Sequence, residues 1–192
     1  MKVRLLRATL CFAALSFAPA QAGGQAPSLR LTKITRNLIS SPNYSFTGAE
    51  QFQPNQRDRW LEVEVEFTAL APFTPEATFR YEILVGGKLL TGEVTHVNIA
   101  AGKELRSVMY VPPRALDYIL NNRALSISSV ENIAVQVVVQ GAVKDDLSLQ
   151  RARAQWYAGL QAVPNLVLNK DETPFAPLYW DRYAQIKPSA AR

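Results

Sequence analysis

The chain has 192 residues, with 21 lysines and arginines against 16 aspartates and glutamates. Three of the basic residues, Lys2, Arg4 and Arg7, lie in the first seven positions, so the remainder has 18 basic and 16 acidic residues and a net charge of only +2. This near balance argues against a nucleic-acid partner, which calls for a strongly basic surface. His96 is the only histidine, and this excludes a zinc site built from two or three histidines.

The N-terminus has the order of features of a secretory signal peptide. Positive residues precede the apolar run Ala8–Ala18, and Ala20-Gln21-Ala22 then supplies the small-x-small pattern that signal peptidase cleaves. The run is shorter than the about 20 residues that a spanning helix needs. We therefore expect residues 1–22 to be removed on export, with a retained membrane anchor as the alternative. The chain from Gly23 then has no cysteine and no transmembrane segment.

Alternation of apolar and polar residues predicts β-strands along most of the chain. Residues 60–67 (WLEVEVEF) have glutamates at 62, 64 and 66, which predicts a half-buried strand with a solvated acidic face. Residues 79–85 alternate in the same way, and Gly86-Gly87 predicts a hairpin turn into a strand over 88–99. Within that strand, Gly92 suggests a bulge or a break.

Further turns and strands follow. Ala101-Gly102-Lys103 predicts a turn before a strand over 105–111, and residues 133–139 (IAVQVVV) predict a central strand. Pro113–Asn121 predicts a short helix, and Ala176–Ile186 is a second, weaker candidate.

Five to seven strands separated by frequent turns predict a mainly β fold. The class is an antiparallel immunoglobulin-like β-sandwich with one or two short helices. We expect this sandwich to occupy residues 23–170. An aromatic-rich C-terminal tail over residues 171–192 would then pack on the domain or on a partner.

Side chains that could support catalysis or metal binding are few. His96 lies in the middle of a predicted strand, where a structural or exposed histidine is the ordinary outcome, so we expect no catalytic triad and no enzyme. The glutamate row has a spacing that a glycosidase could use, but three like charges in a row are typical of a solvated face. We interpret Asp145-Asp146 and Asp171-Glu172 as turn residues, with a calcium site as the alternative. No cofactor or metal is expected.

The C-terminal tail is the most informative stretch for binding. It places four aromatic residues close together, and these are the candidate partner-binding residues: Phe175, Tyr179, Trp180 and Tyr183. If Ala176–Ile186 were helical, Tyr179, Tyr183 and Ile186 would share one face. The alternative is that the tail covers its own sandwich.

Three stretches resemble the pilus-like, immunoglobulin-like proteins of verrucomicrobial bacteria. They are residues 57–67 (RDRWLEVEVEF), 89–115 (LLTGEVTHVNIAAGKELRSVMYVPPRA) and 172–188 (ETPFAPLYWDRYAQIKP). The resemblance implies a secreted immunoglobulin-like sandwich, encoded beside type IV pilus-like genes and taking part in pilus-like or surface assembly. A major pilin keeps its N-terminal apolar helix, whereas cleavage after Ala22 would remove it, so an accessory or structural subunit fits better.

The sequence therefore predicts an exported, non-enzymatic protein of the periplasm, the cell surface or the medium. Its expected partners are proteins of a pilus-like or outer-membrane assembly, with homo-oligomers formed by strand-edge pairing as a further arrangement. The alternative is a carbohydrate-binding or adhesive module in which Trp60, Trp156 or Trp180 stacks on sugar rings. A third hypothesis, an envelope hydrolase, needs a second functional group beside His96 or a glutamate.

Overall fold

The structure, a computed structural model, describes residues 28–45, 47–48, 58–150, 155–179 and 181–188. Its strands are β1 Leu29–Ser40, β2 Arg59–Val85, β3 Lys88–Val111, β4 Val130–Val139, β5 Ala142–Ser148, β6 Ala162–Val163 and β7 Leu168–Asn169. The α-helix α1 spans Pro113–Leu120, and short 3₁₀ turns lie at Ile127–Ser129 and Lys170–Glu172. The predicted signal peptide, residues 1–22, lies outside the described residues.

No helix within the described ranges has both the length and the apolar character needed to span a bilayer.

The centre of the fold is one long antiparallel hairpin made of β2 and β3. Gly86 and Gly87 form its turn with φ of 55° and 76°, the left-handed values that a two-residue hairpin turn favours. β2 runs for 27 residues and β3 for 24. The predicted hairpin is confirmed. The strands predicted over 60–67 and 79–85 both belong to β2, and those predicted over 88–99 and 105–111 both belong to β3.

This hairpin folds back on itself. The rings of Phe67 and Phe79 lie 4.8 Å apart, although a straight strand would separate them by about 40 Å. The bend lies where the β2–β3 register shifts, between Phe67 and Ala69 and again between Ala69 and Phe73. The turn predicted at Ala101–Lys103 belongs to this bend, where Gly102 still pairs with Ala69 and β3 continues.

Folding the hairpin turns one sheet into two layers. The first layer contains β1 with the first half of β2 and the second half of β3, and the other contains β4 and β5 with the remaining halves. Apolar side chains from both layers meet in one core, among them Leu61, Val63, Phe79, Ile83 and Val135. Their removal from water holds the layers together. The mainly β, antiparallel sandwich is confirmed, and the two-residue β3–β6 pairing is parallel.

The strands β1 and β5 meet at the side of the sandwich. The backbone N–H of Leu31 donates to Asp145 Oδ2 at 2.7 Å and so joins the two layers. The prediction that Asp145 and Asp146 are turn residues is wrong, because both lie within β5, where they pair with Val137 and Gln136. The sequence did not predict β1, because a register shift between Leu31 and Lys33 interrupts its apolar alternation.

The helix prediction over Pro113–Asn121 is confirmed, with α1 ending at Leu120 and Asn121 capping it in a left-handed conformation. The second helix candidate, Ala176–Ile186, was wrong, since the described residues of that range form turns and a β-bridge. The physical reason is that the backbone of its last residues bonds to β3. Val97 N–H donates to Gln185 O, and Lys187 N–H donates to Thr95 O.

Candidate interaction surface

The tail lies across the outer face of the first layer. Because side chains alternate along a strand, Trp60 and the glutamates of β2 point away from the core, beside Val108 and Tyr110 of β3. Phe175 stacks on Tyr110 at 4.7 Å and meets Trp60 edge-on at 5.5 Å. We call the resulting buried group the tail cluster; it consists of Trp60, Val108, Tyr110, Phe175 and Tyr183.

A polar turn positions Phe175. Asn169 and Glu172 cap the 3₁₀ turn reciprocally, and Thr173 Oγ1 donates to Lys170 O while accepting from Phe175 N–H. Lys170 is buried, and its ammonium donates to Ala176 O at 2.5 Å. Burial lowers the pKa of Lys170. These bonds fix the entry of the tail before its aromatic residues begin.

Glu64 is the charged centre beneath the tail. Arg182 Nη2 donates to both of its carboxylate oxygens, at 3.1 and 2.9 Å, and Tyr183 Oη donates at 3.0 Å. Arg106 lies on its other side at 3.7 Å. The interpretation of this row as a solvated acidic face was wrong for Glu64, which is buried, because the tail lies over it.

The surroundings of Tyr183 keep its phenol protonated. Burial, followed by the carboxylates of Glu62 and Glu64, raises the pKa of Tyr183. The phenol therefore stays protonated and donates its hydrogen to Glu64. Glu62 in turn accepts from Tyr110 at 3.2 Å and from Asn37 at 3.0 Å, which links the outer face of β2 to both neighbouring strands.

His96 is a buried structural residue. Its Nδ1 faces the carbonyl of Gln185 at 3.3 Å, which requires a proton there, so Nε2 accepts from Ser107 Oγ at 2.7 Å. Ser107 in turn accepts from Tyr81 Oη at 2.8 Å. Burial lowers the pKa of His96 to about 4, so the ring is neutral. Both ring nitrogens are engaged and the side chain is 1% exposed, so neither nitrogen is open to a substrate.

The end of the tail pairs with the edge of β3. Ala184 N–H donates to Arg106 O at 2.9 Å, and Ile186 forms an antiparallel bridge with His96. Lys187 Nζ also contacts Glu76 at 2.7 Å. We call residues 184–187 the tail strand.

A groove separates the tail from β1. It has a volume of about 420 Å³, and its lining includes Asn37, Ile39, Glu62, Leu178, Tyr179 and Arg182. Tyr179 stands at its rim, 59% exposed, with a left-handed φ of 54° that is uncommon for a bulky residue. β1 pairs along its length with β2 alone among the described strands, and its other edge meets β5 near Leu31.

The three predicted site residues that the structure describes do not form one surface. Phe175 and Tyr183 are buried in the tail cluster, Tyr179 is exposed, and Trp180 lies outside the described residues. The helical face expected from Tyr179, Tyr183 and Ile186 is absent, because this part of the tail is not a helix. Sequence reasoning missed Asn37, Ile39 and Arg182. The available signal was the row Glu62, Glu64 and Glu66, because carboxylates without a basic residue between them indicate that a cation from elsewhere in the chain lies above them.

The tryptophans proposed as a sugar platform lie in different settings. Trp60 is 8% exposed and its indole N–H donates to Ser41 at 2.8 Å, so its faces are covered. Trp156 is half-buried, and its indole N–H donates to Ser148 at 3.2 Å. Of the three tryptophans, Trp60 thus has no open ring face, and Trp180 lies outside the described residues.

Comparison with known proteins places the chain in a family. A crystal structure of a protein from Akkermansia muciniphila, a verrucomicrobial bacterium, matches with a TM-score of 0.70 and 24% sequence identity, covering 84% of this chain and 94% of that chain. This likeness shows the shared fold. No curated protein matches significantly. One protein-family model matches residues 20–190, which is most of the sequence, and the chain therefore belongs to the family that this model describes.

Proposed function

We propose that this protein is an exported, non-enzymatic component of a cell-envelope assembly, of type IV pilus-like or related surface type, that acts by binding other proteins. The observation that carries the proposal is the groove between β1 and the tail. It combines an exposed tyrosine, apolar side chains and two opposite charges on the outer face of the first layer.

The expected occupant is an extended peptide segment of a protein partner. The segment would lie along the groove, where Ile39, Leu178 and Tyr179 would contact its side chains. Glu62 and Arg182 at the same groove would favour a segment carrying complementary charges. Tyrosine is enriched among residues that dominate binding energy, because it combines a large apolar area with a polar group.

Two further observations support an assembly role over catalysis. The only histidine is sealed between Ser107 and Gln185, so it is not available as a general base. The carboxylate of Glu64 is occupied by Arg182 and Tyr183. The sequence resemblance to verrucomicrobial pilus-like proteins points the same way, and the structural match also comes from a verrucomicrobial bacterium.

The proposal is tested by pulling down partners of purified wild-type and Tyr179→Ala proteins from the envelope fraction of the native host. We expect the substitution to reduce capture of one assembly protein about tenfold, as for an interface hot spot. The melting temperature should stay within about 2 °C of wild type, because Tyr179 is exposed and contributes little to the core.

Tyr118→Ala is the matched control, since Tyr118 is 73% exposed on α1 and should leave capture unchanged. Equal capture by all three proteins would contradict a role for the groove. Capture of polysaccharide without any protein would instead favour the adhesive alternative.

A further inference from the structure

The tail strand is bound at a site that a second copy of the chain also carries. Three backbone hydrogen bonds hold residues 184–187 on β3, each between 2.8 and 2.9 Å. Their acceptors and donors, Thr95, Val97 and Arg106, belong to the β3 edge, and nothing in these bonds requires both partners to come from one chain.

Charged contacts at the two ends of the tail strand are partly open to water. The side chains of Arg182 and Lys187 are 44% and 51% exposed, and their partners are Glu64 and Glu76. Ion pairs that are this accessible are screened and contribute little. Release of the strand is therefore easier than release of a core strand.

Releasing the tail strand costs free energy, because it uncovers the β3 edge. It would expose His96, which is 1% exposed under the tail strand, together with the unpaired backbone groups of Thr95 and Val97. An uncovered edge of this kind pairs readily with another strand. The segment best shaped to cover it is the same tail strand from a second copy, because that restores every contact.

The connection leading into the tail strand has the character of a hinge. Residues 176–179 and 181–182 form turns, and Tyr179 adopts a left-handed φ that costs free energy in a non-glycine residue. Short connections under strain favour exchange between copies, since opening relieves the strain. Extended, the stretch from Phe175 to Ala184 would reach about 30 Å, enough to meet a neighbouring molecule.

We propose that the tail strand is exchanged between copies of this protein, so that residues 182–187 of one copy occupy the Glu64 and β3-edge positions of another. Reciprocal exchange gives a closed dimer, and one-way exchange gives a chain of copies. Exchange makes a second copy of the chain one of the partners in the proposed function. The inference rests on the proposed function only for its biological purpose.

Engineered disulfides distinguish the two pairings in the full-length chain. Cys11, the only cysteine, is changed to serine, and Val97→Cys with Gln185→Cys is added at positions that face each other across the bridge. Directly paired residues of this kind are about 5.5 Å apart, within disulfide range. When the variant is oxidised at low protein concentration, its disulfide should form within one chain and the protein should be monomeric. As long as dimers are the minor species, the fraction of chains in disulfide-linked dimers should rise about tenfold for each tenfold increase in protein concentration.

The matched control is Arg80→Cys with Glu93→Cys, a directly paired position inside the β2–β3 hairpin that cannot exchange. It should give only intramolecular disulfides at every concentration. If the Val97–Gln185 pair behaves identically to this control, exchange is contradicted.

A second measurement uses the unmodified protein. Unlabelled and heavy-isotope-labelled chains are mixed at high concentration and treated with a carbodiimide, which joins Lys187 to Glu76 through their ion pair. Mixed-isotope crosslinks support exchange, and crosslinks within single isotopes alone contradict it. Either outcome leaves the Tyr179 experiment unaffected, so failure of the exchange and failure of the groove can be told apart.

Discussion

Gly92 shows how a single residue can be required by a distant loop. It lies within β3, paired with Tyr81, without the bulge or break that its position suggested. A Cβ atom there would lie 2.7 Å from Val167 Cβ and 2.9 Å from Met109 Cε. The glycine therefore allows the segment before β7 to pack against the sheet.

We expect Gly92→Ala to destabilise the protein by about 1–3 kcal/mol, because overpacking forces neighbouring atoms to move. Urea unfolding measures the change. Gly102→Ala is the control, since its nearest contact, Leu105, is 3.4 Å away and has a flexible end. Equal stability of the two variants would mean that Val167 is not packed against Gly92.

His96 makes stability depend on pH. The pKa of His96 is about 4 in the folded protein, against an ordinary value of 6.5. As the pH falls from 6.5 to 4, the unfolded chain therefore binds a proton at His96 that the folded protein does not bind. We expect up to about 3 kcal/mol of stability to be lost between pH 6.5 and pH 4. His96→Gln should remove this part of the pH dependence.

The measurement compares urea midpoints of wild type and His96→Gln at several pH values. Burial raises the pKa of Glu82 to about 7, which acts in the opposite direction, with stability lost as the pH rises. Both proteins share that contribution, so it cancels in their difference. Parallel pH profiles would show that His96 titrates normally.

At the scale of elements, the tail is held by a few identifiable contacts. Glu64 accepts three hydrogen bonds from Arg182 and Tyr183, whereas Glu66 contacts Arg106 at 3.5 Å without a bond to the tail. The two glutamates thus differ in one respect that an experiment can use. Of these two glutamates, only Glu64 joins the tail to β2.

We expect Glu64→Gln to speed trypsin cleavage of the folded protein after Arg182 about tenfold. The hydrogen bond from the buried Tyr183 to the Glu64 carboxylate contributes about 1–2 kcal/mol, whereas the partly exposed Arg182 ion pair adds little. Glu66→Gln should leave the cleavage rate near wild type. Similar rates for both variants would show that the Glu64 contacts do not hold the tail.

Element prediction succeeded where local pattern and tertiary structure agree. The glycine pair of the hairpin and the proline-led helix α1 are specified by residues that lie within them. β1 was missed because its register shift hides the apolar period. The Ala176–Ile186 helix was wrong because strand pairing with β3, a long-range contact, outweighs local helical spacing.

At the scale of the whole molecule, both layers depend on one core. Phe67 belongs to the first layer and Phe79 to the second, and their rings are in contact. Because the same two strands contribute to both layers, loss of packing at this contact should weaken each layer together.

We expect Phe67→Ala to cost about 3–5 kcal/mol, the range for removing a buried aromatic ring. Hydrogen exchange should then accelerate by similar factors in β1 and in β4, which belong to different layers. Acceleration confined to β1 would contradict a shared core.

The fold class followed from sequence alone, because alternation and turn residues are local signals. The groove did not, since its lining comes from β1 and the tail, which are more than a hundred residues apart in the chain. Spacing within the tail suggested that its aromatics act as a unit. Folding divides them, because Phe175 and Tyr183 complete the tail cluster while Tyr179 stays outside.

The central claim is that Tyr179 meets a partner protein in the envelope. A photo-crosslinking amino acid is placed at position 179, and at Tyr118 as the exposed control, in cells of the native host. Irradiation should give an adduct with a pilus-like or outer-membrane assembly protein from position 179 alone. No adduct at position 179, or the same adduct from both positions, would contradict the account.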